Sequence, residues 1–366
     1  MANQSQQSSQ KGSAGKTFSA VTSAINRMSG EEGKANIKLG ELFSGVFKKH
    51  SKEERERLFT AGLTGTVPDE RSMIAEWPRP WFYARVFAVL FLLTAVIYLL
   101  LFYLYHLYLT STMILLAVLM TPVSMVLFLF ECNIPRNISL LDCVYMSLVG
   151  GVVAMIVSVL VSSLQPAGTD YYTWYGAIIS AIIEMIGITI LIYTSIKKNN
   201  SKYLLNGLLI GAAIGAGFCI LENFGRLFSL SAECAYFDEN GLVYISYFRP
   251  QLFQCWIFSI GTHVVWGALI GAGFVAAKQD GPLTVTAFKN PLSLRFFTTV
   301  LLLQIIYLFP LPAGRIWLSY LVPGIIALIG LVLLLFQISA GLRQINRLSN
   351  EAWQADAAAM PEEADD

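Results

Sequence analysis

The sequence predicts an all-α fold, a polytopic bundle of about eight transmembrane helices with both termini in the cytoplasm. Three observations carry that reading. Of the 366 residues, 55% are hydrophobic and only 13% are charged, and the mean hydropathy is +0.59; an average soluble domain has about 45–50% and about 25%. A helix needs about 20 largely apolar residues to cross the hydrocarbon, and eight stretches qualify: 82–105, 109–130, 140–163, 173–196, 203–229, 252–277, 294–311 and 316–339. None of them shows the period-two alternation of barrel strands.

Taken in chain order, residues 1–75 read as a cytoplasmic segment, 76–340 as the membrane-embedded domain and 341–366 as an acidic cytoplasmic tail ending in "EEADD". Residues 1–35 are rich in Gln, Ser, Gly and Lys, a composition that buries too little apolar surface to order itself. Leu39, Leu42, Phe43, Val46 and Phe47 then follow the i, i+3, i+4, i+7, i+8 spacing of an amphipathic helix, which either lies on the anionic inner leaflet or packs as a small cytosolic hairpin. A second short helical pattern follows in "KEERERLFTAG". "AEWPRPWFYAR" marks the first interface: Trp77 and Trp81 are belt residues, and two prolines delay the helix start. The first apolar run comes only after this long polar segment, so it is expected to remain in the mature chain.

Orientation follows from Lys and Arg in the short loops. Arg71, Arg79, Arg136, Lys197, Lys198, Lys202, Lys278, Lys289, Arg343 and Arg347 fall on one side, against chiefly Arg249 and Arg315 on the other. Both termini are therefore expected on the cytoplasmic side of a cell membrane. The net charge of +1 says nothing about partners beyond the bilayer, and no nucleic acid is expected. The five cysteines show no metal spacing; four read as buried thiols, and Cys234, assigned to the outer loop, has Cys255 near it as a candidate disulfide partner.

Three ionisable residues lie inside the spans: Glu184 near the middle of span four, Glu222 in the outer half of span five and His263 near the middle of span six. An acid at a helix centre costs about 2.5–3.5 kcal/mol even on a lenient scale, so each marks an offsetting partner or a function. Asp142 and Arg226 lie at span ends, where snorkelling suffices. Each interior residue rides on a stripe of small residues: Gly176, Ser180 and Glu184; Gly211, Gly215 and Glu222; His263, Gly267 and Gly271. Such stripes let transmembrane backbones approach closely. Spans four to six are thus expected to converge on one site with no residue from another span, Gly211 and Gly215 facing one neighbour and Gly267 and Gly271 another. Glu222 reads as nearer the outer surface by a turn or more, so span five must tilt or sit lower. Each residue alone also fits an interhelical hydrogen bond; together they can polarise water, bind a divalent metal or relay protons.

"FCILEN", Phe218 to Asn223, resembles the Phe-x-x-x-Glu-Asn motif of the PrsW-type intramembrane proteases, and "HVVWGALIGAGF", beginning at His263, resembles their His-bearing helix. Their first motif, a Glu-Glu pair followed by a basic residue, is matched in part by "SAIIEMIGI", with Met185 for the second Glu and Ile188 for the Lys. The resemblance covers residues 80–340. It implies peptide-bond hydrolysis beside or within the bilayer, on a transmembrane protein substrate, in a fold related to the CAAX prenyl endoproteases. Glu184 is then the general base, Glu222 its assistant and His263 the group that polarises the carbonyl, with Phe218, Asn223, Gly267 and Gly271 supporting. The family chemistry is compatible with a divalent metal such as zinc on Glu184, Glu222 and His263, and equally with metal-independent glutamate chemistry. A pseudoprotease that binds transmembrane segments without cutting them, and a transporter or proton relay, are the alternatives; peptide cleavage against proteoliposome flux separates enzyme from transporter.

The loop between spans five and six carries Tyr236, Phe237, Tyr244, Tyr247 and Phe248 around Asn240-Gly241, read as an aromatic belt or as a hairpin over the site. The charge split predicts that an impermeant thiol reagent labels a cysteine placed at Phe237–Gly241 only from outside, and one at Lys197–Lys202 only from inside. The reverse pattern would invert the topology.

Overall fold

The computed structural model describes Ser23 and residues 35–63, 65–73, 75–104, 106–164, 173–199, 201–237, 248–279, 281–309 and 317–359. Residues 1–22, 24–34, the segment around Asn240-Gly241 with Tyr244 and Tyr247, and the acidic end lie outside this set, so the readings made on them stand as expectations. Among the described residues there are helices and no strand. They run α1 (Glu41–Ser44), α2 (Lys52–Phe59), α3 (Phe82–Tyr103), α4 (Thr110–Cys132), α5 (Leu140–Leu164), α6 (Trp174–Asn199), α7 (Leu204–Phe237), α8 (Arg249–Ile257), α9 (His263–Lys278), α10 (Pro291–Leu308) and α11 (Leu318–Ala359). Among the described residues, eight segments are long and apolar enough to span a bilayer, with α8 and α9 forming one of them.

The centre of the bundle is α7. Of its apolar stretch 89% is buried, against 11% for α3 at the periphery. Small residues make this possible. A methyl group on Gly211 would lie 1.9 Å from the carbonyl oxygen of Gly267, and one on Gly215 would lie 2.0 Å from that of His263. On another side of α7, a methyl on Gly217 would lie 1.6 Å from the Ser147 carbonyl oxygen of α5. The stripes on spans five and six therefore face each other, rather than two different neighbours as the spacing alone suggested. Gly217, outside those stripes, brings in α5.

The sixth span is not one helix. It breaks at a 3-10 turn, Phe258–Gly261, and restarts at His263. Irregular backbone at membrane depth persists only where protein groups satisfy it, and hydroxyls do so here. Ser259 Oγ donates to the Cys255 carbonyl (2.7 Å), Thr262 Oγ1 to that of Ser259 (3.1 Å) and Thr121 Oγ1 of α4 to that of Trp256 (2.8 Å). A methyl on Gly261 would lie 2.1 Å from Ala327 Cα, so α11 seals the break from behind. His263 is thus the first residue of a helix, not the middle of one.

Other boundaries shift for local reasons. Cys234 lies in the last turns of α7 rather than in a loop, and Cys234 and Cys255 are buried thiols with no disulfide between them. α7 also absorbs Tyr236 and Phe237. The predicted amphipathic helix shrinks to α1: of its apolar residues Leu42 is buried and Val46 half-buried, while Leu39, Phe43 and Phe47 stay exposed. α11 continues far past residue 341, and Ser349 Oγ and Trp353 Nε1 donate to the Arg71 carbonyl at 3.3 and 3.1 Å. The N-terminal segment and the end of α11 therefore meet on one face of the bundle. On that face Glu131, at the end of α4, caps α3: its carboxylate accepts from the backbone N–H groups of Trp81, Phe82 and Tyr83 at 2.9, 3.0 and 2.8 Å. Those donors have no partner within their own helix.

Gly215→Leu should lower the stability of the detergent-solubilised protein by at least the ~1–3 kcal/mol typical of overpacking. Gly225→Ala, which meets nothing within 4 Å, should be neutral. Equal thermal midpoints for the two variants would contradict the α7–α9 seam.

Candidate active site between α6, α7, α9 and α10

Four helices bring polar side chains to similar heights above the Lys-rich ends of the bundle. At 1.5 Å per residue, Glu184 stands about 20 Å from Lys197, Glu222 about 27 Å from Leu204, His263 about 23 Å from Lys278 and Gln304 about 20 Å from Pro291. By this count Glu222 still stands about a turn further along its helix than Glu184, as the sequence suggested, and the break lets α9 begin at this level so that the side chains meet.

The three sequence-predicted residues converge. His263 Nε2 lies 3.5 Å from Glu184 Oε2, and His263 Nδ1 lies 3.5 Å from Glu222 Oε2. The imidazole thus sits between the two carboxylates. Glu184 and His263 side chains are each 4% exposed, and that of Glu222, the most open, is 16% exposed. Glu222 Oε2 and His263 Nδ1 are buried without a hydrogen-bond partner. At 3.5 Å neither satisfies the other well.

The set is completed from another span, contrary to the expectation that spans four to six suffice. Gln304 Nε2 of α10 donates to Glu184 Oε2 at 2.7 Å and lies 3.2 Å from His263 Nε2. Trp266 Nε1 donates to Gln304 Oε1 at 2.8 Å. Both Trp266 and Gln304 are fully buried. The signal for Gln304 is its amide inside "LLLQIIYL", which a count of ionisable residues alone passes over.

The supporting residues divide. The Phe218 ring packs on His263 with centroids 5.0 Å apart. Gly267 and Gly271 lie against Gly211 and Gly207 and shape the seam rather than the polar cluster. Asn223 belongs to a second network: its Nδ2 donates to Cys219 Sγ at 3.2 Å, and its Oδ1 accepts from Arg226 Nη2 at 2.8 Å and from Cys255 Sγ at 3.3 Å. Arg226 also donates to Cys255 Sγ at 3.2 Å. Arg226 is therefore anchored one step from the site, where snorkelling from a span end was expected. Met185 and Ile188, standing where the motif has Glu and Lys, are fully buried and apolar.

Two carboxylates and one imidazole, with ligand atoms within 4.8 Å of one another, make a donor set of the type that holds a divalent cation with open positions. Of these ligand atoms, Glu222 Oε2 and His263 Nδ1 have no hydrogen-bond partner. A cleft of about 330 Å³ between α6, α9 and α10, lined by Ile186, Thr189, Ile270 and Phe274, contains none of the three.

No curated protein and no solved structure matches the chain. Residues 137–306, from just before α5 to within α10, match the family model described as PrsW family intramembrane metalloprotease. That segment holds Glu184, Glu222, His263 and Gln304, so the part of this polytopic membrane protein that carries the polar cluster is similar to the PrsW family.

Proposed function

We propose that this protein is an intramembrane endopeptidase that hydrolyses peptide bonds of membrane-associated protein substrates with water activated by Glu184, Glu222 and His263. The observation that carries the proposal is the meeting of these residues from three helices, inside the family-matched segment, with two buried polar atoms left unpartnered. Burial of such groups in a bundle is expensive unless they are used.

The division of labour follows from access. Glu184 is sealed and its Oε2 is held by Gln304, so it serves as the fixed negative charge beside the imidazole. Glu222 is the more open carboxylate and, in the place that the resemblance gave to Glu184, takes the proton as the water oxygen attacks the peptide carbonyl carbon. It then returns that proton to the amine nitrogen as the C–N bond breaks. His263 Nδ1, next to Glu222 Oε2, is the group that donates to the carbonyl oxygen as it gains charge in this reading. A divalent cation held by Glu184, Glu222 and His263 would supply Lewis-acid polarisation and a lowered water pKa at this place. The apolar surroundings exclude bulk water and strengthen every polar interaction within.

A second reading is favoured by one observation. Met185 and Ile188 remove the paired acid and the counter-charge of the first motif. A pseudoprotease that binds transmembrane segments without cutting them would retain the same fold, because fold does not ensure chemistry.

In proteoliposomes with a transmembrane peptide library, wild type should yield products, and Glu184→Gln, Glu222→Gln and His263→Ala should each lower turnover by at least ~100-fold with insertion unchanged. Asp142→Asn, whose carboxylate bonds only Ser139 beside it, should stay near wild type. Peptide crosslinking without products from wild type would select the pseudoprotease.

A further inference from the structure

The hydrogen bonds of the site constrain where the His263 proton resides. Indole N–H is a donor only, so Trp266 Nε1 at 2.8 Å requires the oxygen of the Gln304 amide on its side. The amide NH₂ then faces Glu184 Oε2 at 2.7 Å and His263 Nε2 at 3.2 Å. An amide nitrogen has two hydrogens and no acceptor capacity. One hydrogen goes to the Glu184 carboxylate and the other is free to point at His263 Nε2, where a ring N–H would meet it donor against donor.

We infer that Gln304, oriented by Trp266, is a positioning residue that holds His263 as the neutral Nδ1–H tautomer and thereby disfavours a metal ion on its imidazole. The part concerning hydrolysis rests on the reading of the site as a protease. With Nε2 accepting, the single ring proton sits on Nδ1, the atom without a partner beside Glu222 Oε2. Nδ1–H then lies on the Glu222 side of the ring, where it can donate to a substrate carbonyl oxygen as that oxygen gains charge.

The same lock bears on metal binding. A divalent cation on Nδ1 displaces its proton to Nε2, where it meets the N–H of Gln304, donor against donor. A cation on Nε2 must displace the Gln304 NH₂ group itself. Turning the amide over relieves either conflict only by directing its NH₂ at the Trp266 N–H. Loading the site therefore breaks a buried hydrogen bond that the metal-free arrangement keeps. Groups behind a metal ligand usually raise affinity by holding the ligand in its binding form; Gln304 holds the opposite form.

The test is nitrogen NMR of ¹⁵N-histidine-labelled full-length protein in lipid, the His263 signals being assigned by their loss in His263→Ala. The expected wild-type pattern is a protonated Nδ1 and an unprotonated Nε2. A protonated Nε2, or a ring protonated at both nitrogens, would overturn the inference, and the wild-type spectrum decides this without any variant. Trp266→Phe should introduce the Nε2–H form, and an unchanged spectrum would remove Trp266 from the argument. Gln304→Leu should bind Zn²⁺ about tenfold more tightly than wild type in equilibrium dialysis, whereas equal or weaker binding would contradict the opposition to metal. Neither readout involves cleavage, so an inactive wild type that shows Nδ1–H would refute the protease reading and leave the tautomer assignment standing.

Discussion

The contact between α7 and α9 is the constraint on which the rest of this structure depends. Within a bilayer no hydrophobic force drives helices together, so van der Waals packing at short range must do so, and it requires residues without side chains. Here three rungs form one seam: Gly207 with Gly271, Gly211 with Gly267, and Gly215 with His263. The uppermost rung places the His263 backbone directly on α7. Glu222 lies seven residues beyond Gly215 on the same helical face, so the seam that joins the helices also aims the carboxylate at the imidazole.

That seam would be ineffective with an unbroken sixth span, because a continuous helix carries His263 past α7 at an angle set by its whole length. The 3-10 turn at Phe258–Gly261 separates the two demands. α8 packs with α4, and α9 is free to lie along α7. Hydroxyls of Thr121, Ser259 and Thr262 satisfy carbonyls at the break, so the irregularity carries little of the several-kcal/mol penalty of unmet backbone groups in hydrocarbon.

Around the site, polar groups are arranged in two networks with different tasks. Gln304 and Trp266 hold Glu184 and His263, while Arg226, Asn223, Cys219 and Cys255 brace α7 against α8. Arg226 is thereby a poor neutral control for mutagenesis, unlike Asp142, whose bonds stay within its own turn. The apolar Met185 and Ile188 leave Glu184 without the partners of the motif, and Gln304 from α10 stands as the neutral donor beside it.

The eight spans, their all-helical character and the three residues Glu184, Glu222 and His263 were legible in the sequence, because each depends on local composition and helical period. Twenty apolar residues report a span whatever surrounds them, and an acid within one stands out by its desolvation cost alone. The small-residue stripes likewise marked which helix faces approach a neighbour. What the sequence did not decide was the partner of each face. Spacing shows that Gly211 and Gly267 lie on close-packing surfaces, and only the folded bundle sets them against each other. The break before His263 has the same origin: "WIFSIGTHVVW" is apolar enough to continue as helix, and its kink persists because Thr121 and Ala327, far away in sequence, satisfy and seal it. Gln304 escaped notice because an uncharged amide in a span costs too little to be conspicuous alone. Its meaning is a matter of orientation, and a Trp266 side chain on a different helix provides that.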